Sequence, residues 1–106
     1  MQIRGGMNEL MRQAARMQRK IEEKKAEVQG REVTATAVGD KIKVTASYAG
    51  RVSRIEIDPE FVKAEGFDMA LDAACAAVNS ALDAADKAME DEISKVTGGL
   101  KIPGVL

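Results

Sequence analysis

The sequence predicts an α+β fold in which a long helix, a three-stranded antiparallel meander and a second long helix follow one another. Two observations predict the helices: apolar residues recur every three or four positions in residues 7–28, and again from Leu71 onward. The third observation is the strict alternation of apolar and polar residues in KIKVTASYA, residues 41–49, which is typical of a half-buried strand. With 106 residues and no internal repeat, we expect one domain that spans residues 1–106.

The first helix is predicted from a line of apolar residues on one face, called here the apolar seam. Its members are Met7, Leu10, Ala14, Met17, Ile21 and Val28. Residues 1–6 contain Gly5-Gly6 and are expected to form a flexible leader, and the helix is expected to end near Gly30. About 22 helical residues span about 33 Å, which is longer than a small sheet can cover. We therefore expect Met7, Leu10, Met17 and Ile21 to pack either on the protein's own sheet or against a second protomer.

The centre of the chain is predicted to be a meander because short turns separate three strand-like runs. The runs are REVTATAV, KIKVTASYA and RVSRIEI, all rich in β-branched residues or strictly alternating. Gly39-Asp40 and Ala49-Gly50 lie between them as turns. Pro59 is expected to end the third strand and to begin a short connector that reaches Phe67.

The second long helix is predicted to begin at Asp68, whose side chain suits an N-cap. Its expected apolar face is formed by Leu71, Cys75, Val78, Leu82, Ala85, Met89, Ile93 and Val96. Gly98-Gly99 is expected to end the helix, and residues 97–106 to form a flexible tail. Because the chain has only three aromatic residues, its core must be small and rich in alanine, which favours a homo-oligomer.

The net charge of -1 hides an asymmetry between the two parts of the chain. Residues 1–31 carry eight bases and four acids, a net charge of +4, whereas residues 32–106 carry eight bases and thirteen acids, a net charge of -5. On a helical wheel, the bases of the first helix that lie opposite the apolar seam form what we call the basic stripe, namely Arg12, Arg16, Arg19 and Lys20. Lys24 lies at the edge of the seam and Lys25 on its other flank. Such a stripe is typical of a solvated helix face, but it would also suit hydrogen bonds to backbone phosphates.

The composition disfavours an enzyme, a metal site and a membrane protein. The chain has no histidine, and Cys75, its single cysteine, is expected to be a buried structural thiol. The carboxylates of EIDPE (Glu56, Asp58, Glu60) are interpreted as the solvated end of a strand, and no phosphate-binding loop is present. With no signal peptide and no run of about 18 apolar residues, we expect a cytoplasmic protein without a cofactor or a small-molecule substrate.

Three segments of the chain, in their order and spacing, resemble the YbaB/EbfC family of bacterial nucleoid-associated proteins. The segments are GGMNELMRQAARMQRKIEE, RVSRIEIDPEF and VTGGLKIPG. The resemblance implies a homodimer of helix–three-strand–helix protomers with protruding helices, located in the cytoplasm and the nucleoid. It also implies binding of double-stranded DNA with little sequence specificity, a contribution to chromosome organisation and gene regulation, and no catalytic activity.

The resemblance places the DNA-binding determinants among the basic residues of the first helix, with contributions near the second. In this sequence they correspond to Arg12, Arg16, Arg19, Lys20, Lys24, Lys25, Lys95 and Lys101. The second helix departs from this pattern, since it carries seven acids and two bases from Asp68 to Lys95. The competing hypothesis is a non-enzymatic dimeric interaction module whose basic helix docks an acidic protein partner.

Overall fold

The computed structural model describes residues 3–98 of the chain, and side chains within residues 6–98. The elements are α1 (Ile3–Val28), β1 (Glu32–Ala37), β2 (Ile42–Ser47), β3 (Val52–Ile57), α2 (Pro59–Glu65) and α3 (Phe67–Thr97). The three strands form one sheet in the order β1-β2-β3, and both neighbouring pairs are antiparallel. The predicted α+β class, with a meander between two long helices, is confirmed.

Helix α1 begins at Ile3, inside the segment that the sequence analysis expects to be a leader. Gly5 and Gly6 are therefore helical. Glycine in a helix costs about 1 kcal/mol relative to alanine, but unlike proline it keeps its N–H donor and does not interrupt the ladder of hydrogen bonds. The predicted start at Met7 is thus wrong by four residues, and Met1 and Gln2 lie outside the described residues.

The central strand β2 shows the alternation that its sequence predicts. Ile42, Val44 and Ala46 are fully buried against α3, while Lys43 is exposed on the opposite face of the sheet. β1 pairs with β2 without interruption, but the pairing of β2 with β3 is irregular between Thr45 and Ala46. The sheet therefore has one apolar face, covered by α3, and one polar face.

The connector expected between the meander and the second long helix contains the short helix α2. Asp58 caps it, because its Oδ1 accepts a hydrogen bond of 2.9 Å from the backbone N–H of Glu60. Pro59 occupies the first turn, where a missing N–H costs nothing. Gly66, with a φ of 92°, then separates α2 from α3, so Asp68 lies in the first turn of α3 instead of at the predicted N-cap.

Helix α3 packs on the sheet mainly through a line of alanines, and Val78 and Leu82 of its predicted apolar face are partly buried beside that line. The buried line consists of Ala70, Ala74, Ala77, Ala81 and Ala85, and the last four form one core cluster with the buried residues of β2. Leu71 and Cys75 each follow a buried alanine, so they lie about 100° away around the helix and are exposed. The predicted burial of Cys75 is therefore wrong. The small alanine side chains allow the helix and the sheet to approach closely.

The C-terminal half of α1 packs on the C-terminal half of α3. Ile21 and Val28 of α1 are fully buried, and Ile93 and Thr97 at the end of α3 are almost completely buried. The molecule is elongated, with extents of 75 × 20 × 16 Å. Among the residues searched, no helix combines the length and the apolar character needed to cross a membrane.

Candidate nucleic-acid interface

The N-terminal part of α1 projects from the rest of the molecule. Over residues 6–20, which we call the arm, every side chain is exposed except that of Met17, which is half-buried. The apolar seam is accordingly covered at one end only: Ile21 is fully buried, whereas Met7 and Leu10 are 54% and 64% exposed. The arm therefore offers its surface to a partner.

All four bases of the basic stripe lie on the arm and are exposed. Glu9 is the nearest acid, with Oε2 3.9 Å from Arg12 Nη1 and Oε1 3.5 Å from Arg16 Nη2. Among the described side chains, Arg19 and Lys20 have no carboxylate within 4.0 Å. Exposed pairs such as those of Glu9 contribute at most about 1 kcal/mol, so an incoming phosphate can replace them.

The geometry of the stripe suits a row of phosphates. Arg12 and Arg19 are separated by about 10 Å along the helix axis, given a rise of 1.5 Å per residue. One strand of DNA advances about 3.4 Å per phosphate, so that distance corresponds to roughly three nucleotides. Guanidinium groups bind phosphate oxygens through charge-assisted hydrogen bonds, which position a protein on DNA without reading its sequence.

Two of the other predicted DNA-binding residues, Lys24 and Lys95, belong to a row of ion pairs at the base of the arm. Lys24 Nζ lies 3.0 Å from Glu27 Oε2, and Glu27 Oε1 lies 4.0 Å from Arg31 Nη2. Arg31 Nη1 lies 3.3 Å from Glu92 Oε1, and Lys95 Nζ donates to Glu92 Oε2 at 2.5 Å. We call these five residues the hinge network. Its bases already have acidic partners, unlike Arg19 and Lys20.

Glu92 has the most perturbed surroundings of the hinge network, because it is only 8% exposed. The hydrogen bond from Lys95 lowers the pKa of Glu92 below its usual range, and the positive charges of Lys95, Arg31 and Lys24 act in the same direction. Burial raises the pKa of Glu92, but by less than these interactions lower it. Glu92 is therefore ionised at neutral pH.

The remaining predicted bases lie away from the stripe. Lys25 is half-buried, with Nζ 3.9 Å from Glu22 Oε1. It lines an open groove between α1 and α3, where Asp86 and Met89 are its neighbours. Lys101 lies outside the described residues.

Each carboxylate of the EIDPE segment has a local partner in the structure. Glu56 lies 2.8 Å from Arg54, Asp58 caps α2 and lies 3.5 Å from Lys41, and Glu60 lies 3.4 Å from Lys63. Within the described part of the chain, no three acidic or thiol side chains are grouped so that they could hold a metal ion. The segment thus ends β3 and starts α2, as a solvated strand end should.

A second feature was not predicted from the sequence: large apolar side chains are exposed on β3 and at the start of α3. They are Val52, Ile55, Phe67, Met69 and Leu71, and we call them the exposed apolar set. Val52 and Ile55 pair with buried residues of β2, so they point to the same side of the sheet as α3. They remain 38% and 48% exposed because α3 packs mainly against β1 and β2. The many alanines of α3 were the feature of the sequence that could have revealed the exposed apolar set. They occupy the buried positions of the helix, so Leu71 is exposed.

The comparison with known proteins agrees with the resemblance seen in the three segments. The model of the YbaB/EbfC DNA-binding family matches residues 4–100. The chain belongs to this family. The YbaB/EbfC match includes the arm, the sheet and both helices that follow it, so it covers the whole described fold.

Several relatives of this YbaB/EbfC chain carry the name nucleoid-associated protein. One from Clostridium kluyveri is 39% identical over 95% of this chain and 89% of its own length. Another from Alkaliphilus metalliredigens is 41% identical over 93% of this chain and 87% of its own length. A third from Acetivibrio thermocellus is 41% identical over 95% of this chain and 90% of its own length.

Proposed function

We propose that this protein binds double-stranded DNA with little sequence specificity through the basic stripe of its arm. The observation that carries the proposal is the exposure of Arg12, Arg16, Arg19 and Lys20 on one face of a projecting helix. Binding would come from arginine–phosphate hydrogen bonds and from the release of counterions from the DNA. As in the relatives named nucleoid-associated proteins, it would act in the nucleoid, where it would help to organise the chromosome and influence gene expression.

The acidic net charge of the chain is compatible with this proposal because the charges are separated in space. The arm, residues 6–20, carries four bases and one acid, a net charge of +3. The acids are concentrated on α3, which packs on the other half of α1. Exposed charges act over about 8–10 Å at ordinary salt, so acids beyond that distance do not cancel the field of the arm.

The protein would act as a homodimer joined through the exposed apolar set. Ile55 and Leu71 are each about half exposed in the single protomer, and such side chains are typical of surfaces that a partner covers. Two protomers present two basic stripes. If both stripes reach one duplex, the second binds intramolecularly and the affinity exceeds that of a single arm.

The test is a charge reversal with a matched control. We expect the triple variant R12E/R16E/R19E to lower the affinity for a labelled duplex by roughly a hundredfold or more, since hydrogen bonds to charged groups contribute about 1.5–3 kcal/mol each. The control K43E/K63E/K87E makes the same change of net charge on exposed residues of the sheet, α2 and α3. It should lose much less affinity. Circular dichroism would verify that both variants are folded.

The competing function is docking of an acidic protein, and the exposed seam of the arm is the observation that favours it. Met7 and Leu10 of the seam are more than half exposed, as is the adjacent Met11, and a protein partner uses such apolar anchors alongside charge. DNA binding should be insensitive to M7S/L10S, whereas docking of a protein should be weakened. If the folded stripe variant binds DNA as tightly as the matched control, the proposed interface is wrong.

A further inference from the structure

We propose that Glu92 is a positioning residue that fixes the direction of the arm relative to the body of the protein, residues 32–98, by holding Arg31 at the junction between the two. The inference rests on the DNA-binding function proposed above, because the direction of the arm matters only if the arm binds. Of the acids in the described part of the chain, Glu92 alone is buried. Its two carboxylate oxygens point to different partners, Oε1 to Arg31 and Oε2 to Lys95.

Arg31 connects this carboxylate to the point where α1 turns into the sheet. Its backbone N–H donates to the carbonyl oxygen of Val28 at 2.9 Å, and its own carbonyl oxygen accepts from the N–H of Tyr48 at 2.8 Å. The Arg31 guanidinium then reaches both Glu92 on α3 and Glu27 on α1. The hinge network therefore joins the last turns of α1, the connection to β1 and the C-terminal part of α3.

The apolar contacts of α1 do not fix its direction by themselves. Among the described side chains of α1, Ile21 and Val28 are the fully buried ones, and they are seven positions apart on the same face. Apolar contacts are non-directional, so a helix held by two such residues, about 10 Å apart along its axis, can tilt at its base with little loss of buried area. Hydrogen-bonded ion pairs do have preferred geometry, and a buried carboxylate that loses its partners is costly. Glu92 therefore favours the one arm direction in which Arg31 reaches both Glu92 and Glu27 of α1.

The length of the arm amplifies any change at its base. Helix α1 is continuous from Val28 to Arg12, a distance of about 24 Å at 1.5 Å per residue. A rotation of about 10° at the base would move the basic stripe by roughly 4 Å over that length. Such a shift takes an arginine out of hydrogen-bonding distance of a phosphate.

The first test measures the arm directly, with no DNA present. Spin labels are attached at Gln13→Cys and Lys87→Cys in a Cys75→Ser background. Double electron–electron resonance spectroscopy then gives the distance between the arm and α3. Gln13, Lys87 and Cys75 are all exposed, so the labels and the serine disturb little. Labelled chains are refolded with an excess of unlabelled chains, so that a dimer carries one labelled protomer.

The decisive comparison is E92Q with D91N. The two neighbours on α3 give the same change of charge, but Asp91 is exposed and Glu92 is buried. We expect E92Q to broaden or shift the distance distribution and D91N to leave it as in the wild type. R31Q breaks the same Arg31–Glu92 contact by changing its more exposed partner, and should alter the distance distribution as E92Q does. It replaces E92Q in the test if E92Q folds poorly. A distribution in E92Q and R31Q that matches that of D91N overturns the proposal.

The second test measures DNA affinity. For E92Q, the change in net charge alone predicts tighter binding, whereas a misdirected arm predicts weaker binding. Each substitution at these two positions removes one negative charge, so electrostatics alone would tighten DNA binding in both variants. We expect D91N to bind as tightly as the wild type or tighter, and E92Q to bind several-fold more weakly at a temperature where it is fully folded. If the wild type does not bind DNA, the proposed function fails, while the spin-label distances still decide the role of Glu92.

Discussion

At the scale of single residues, Glu92 shows how a buried charge links stability to pH. Its pKa is lowered in the folded protein, chiefly by the hydrogen bond from Lys95. A carboxyl with a lowered folded-state pKa stabilises the fold above the unfolded value, about 4.3 for Glu, and that contribution disappears as the pH falls through the lower, folded value. Acid should therefore weaken the fold partly through this residue.

We accordingly expect the wild-type melting temperature to fall between about pH 5 and pH 3, and to fall less steeply in E92Q. At neutral pH, E92Q should melt below the wild type because the ion pairs to Arg31 and Lys95 are lost. D91N, with the same loss of charge, should keep the wild-type slope. Thermal melts at one fixed protein concentration measure this, and equal slopes in all three proteins would contradict it.

The residue scale also shows what the sequence could not reveal. The apolar seam and the basic stripe follow from spacing along one helix, so both could be predicted. The ion pairs Lys24–Glu27 and Lys95–Glu92 also follow from helical spacing, since each joins residues three positions apart. The contact that connects them could not be predicted, because Arg31 and Glu92 are 61 positions apart. Such a contact depends on how two helices pack, and no local pattern encodes it.

At the scale of elements, the alternation of β2 predicted the central strand correctly. The buried face of α3 was predicted correctly at Ala85 and Ile93 but wrongly at Leu71 and Cys75. The larger residues on α3 have a regular spacing, which suggested that Leu71 and Cys75 face the core. The structure instead buries the adjacent line of alanines, since close packing of helix on sheet favours small side chains. Spacing alone cannot decide between two neighbouring apolar lines on the same helix.

Helix α2 provides a test of local sequence signals at this scale. D58A removes the capping acceptor for the N–H of Glu60 and should lower the free energy of unfolding by about 1 kcal/mol. D58N retains a capping oxygen and loses only the partly exposed ion pair with Lys41. We expect a clearly smaller loss in D58N, measured by urea denaturation. Equal losses in both variants would show that the cap does not stabilise α2.

At the scale of the whole molecule, the proposed homodimer rests on two features of the protomer, the exposed apolar set and the projecting arm. Alone, the protomer leaves Ile55 half exposed on an edge strand and the arm largely without contacts. A dimer that covers the apolar set would leave both arms free. The two basic stripes would then be available to one duplex.

The dimer can be tested with one substitution on each face of the sheet. I55E places a charge in the exposed apolar set and should convert the dimer to a monomer, since burying an unpaired charge is costly. T36E places the same charge on the polar face, where Thr36 is exposed, and should leave the dimer intact. Sedimentation equilibrium gives the masses. A dimeric I55E, or a monomeric wild type, would rule out this interface.

The central claim is that the basic stripe binds DNA phosphates, and its most direct test is the salt dependence of binding. Fluorescence anisotropy of a labelled duplex of about 30 base pairs, titrated with protein from low to physiological salt, gives log K against log salt. Four to eight phosphate contacts, from the bases of one or two arms, predict a slope of about -4 to -7, with micromolar affinity left near physiological salt. The stripe variant R12E/R16E/R19E should show a much shallower slope. Loss of wild-type binding well below physiological salt, or an unchanged slope in the folded variant, would contradict the account.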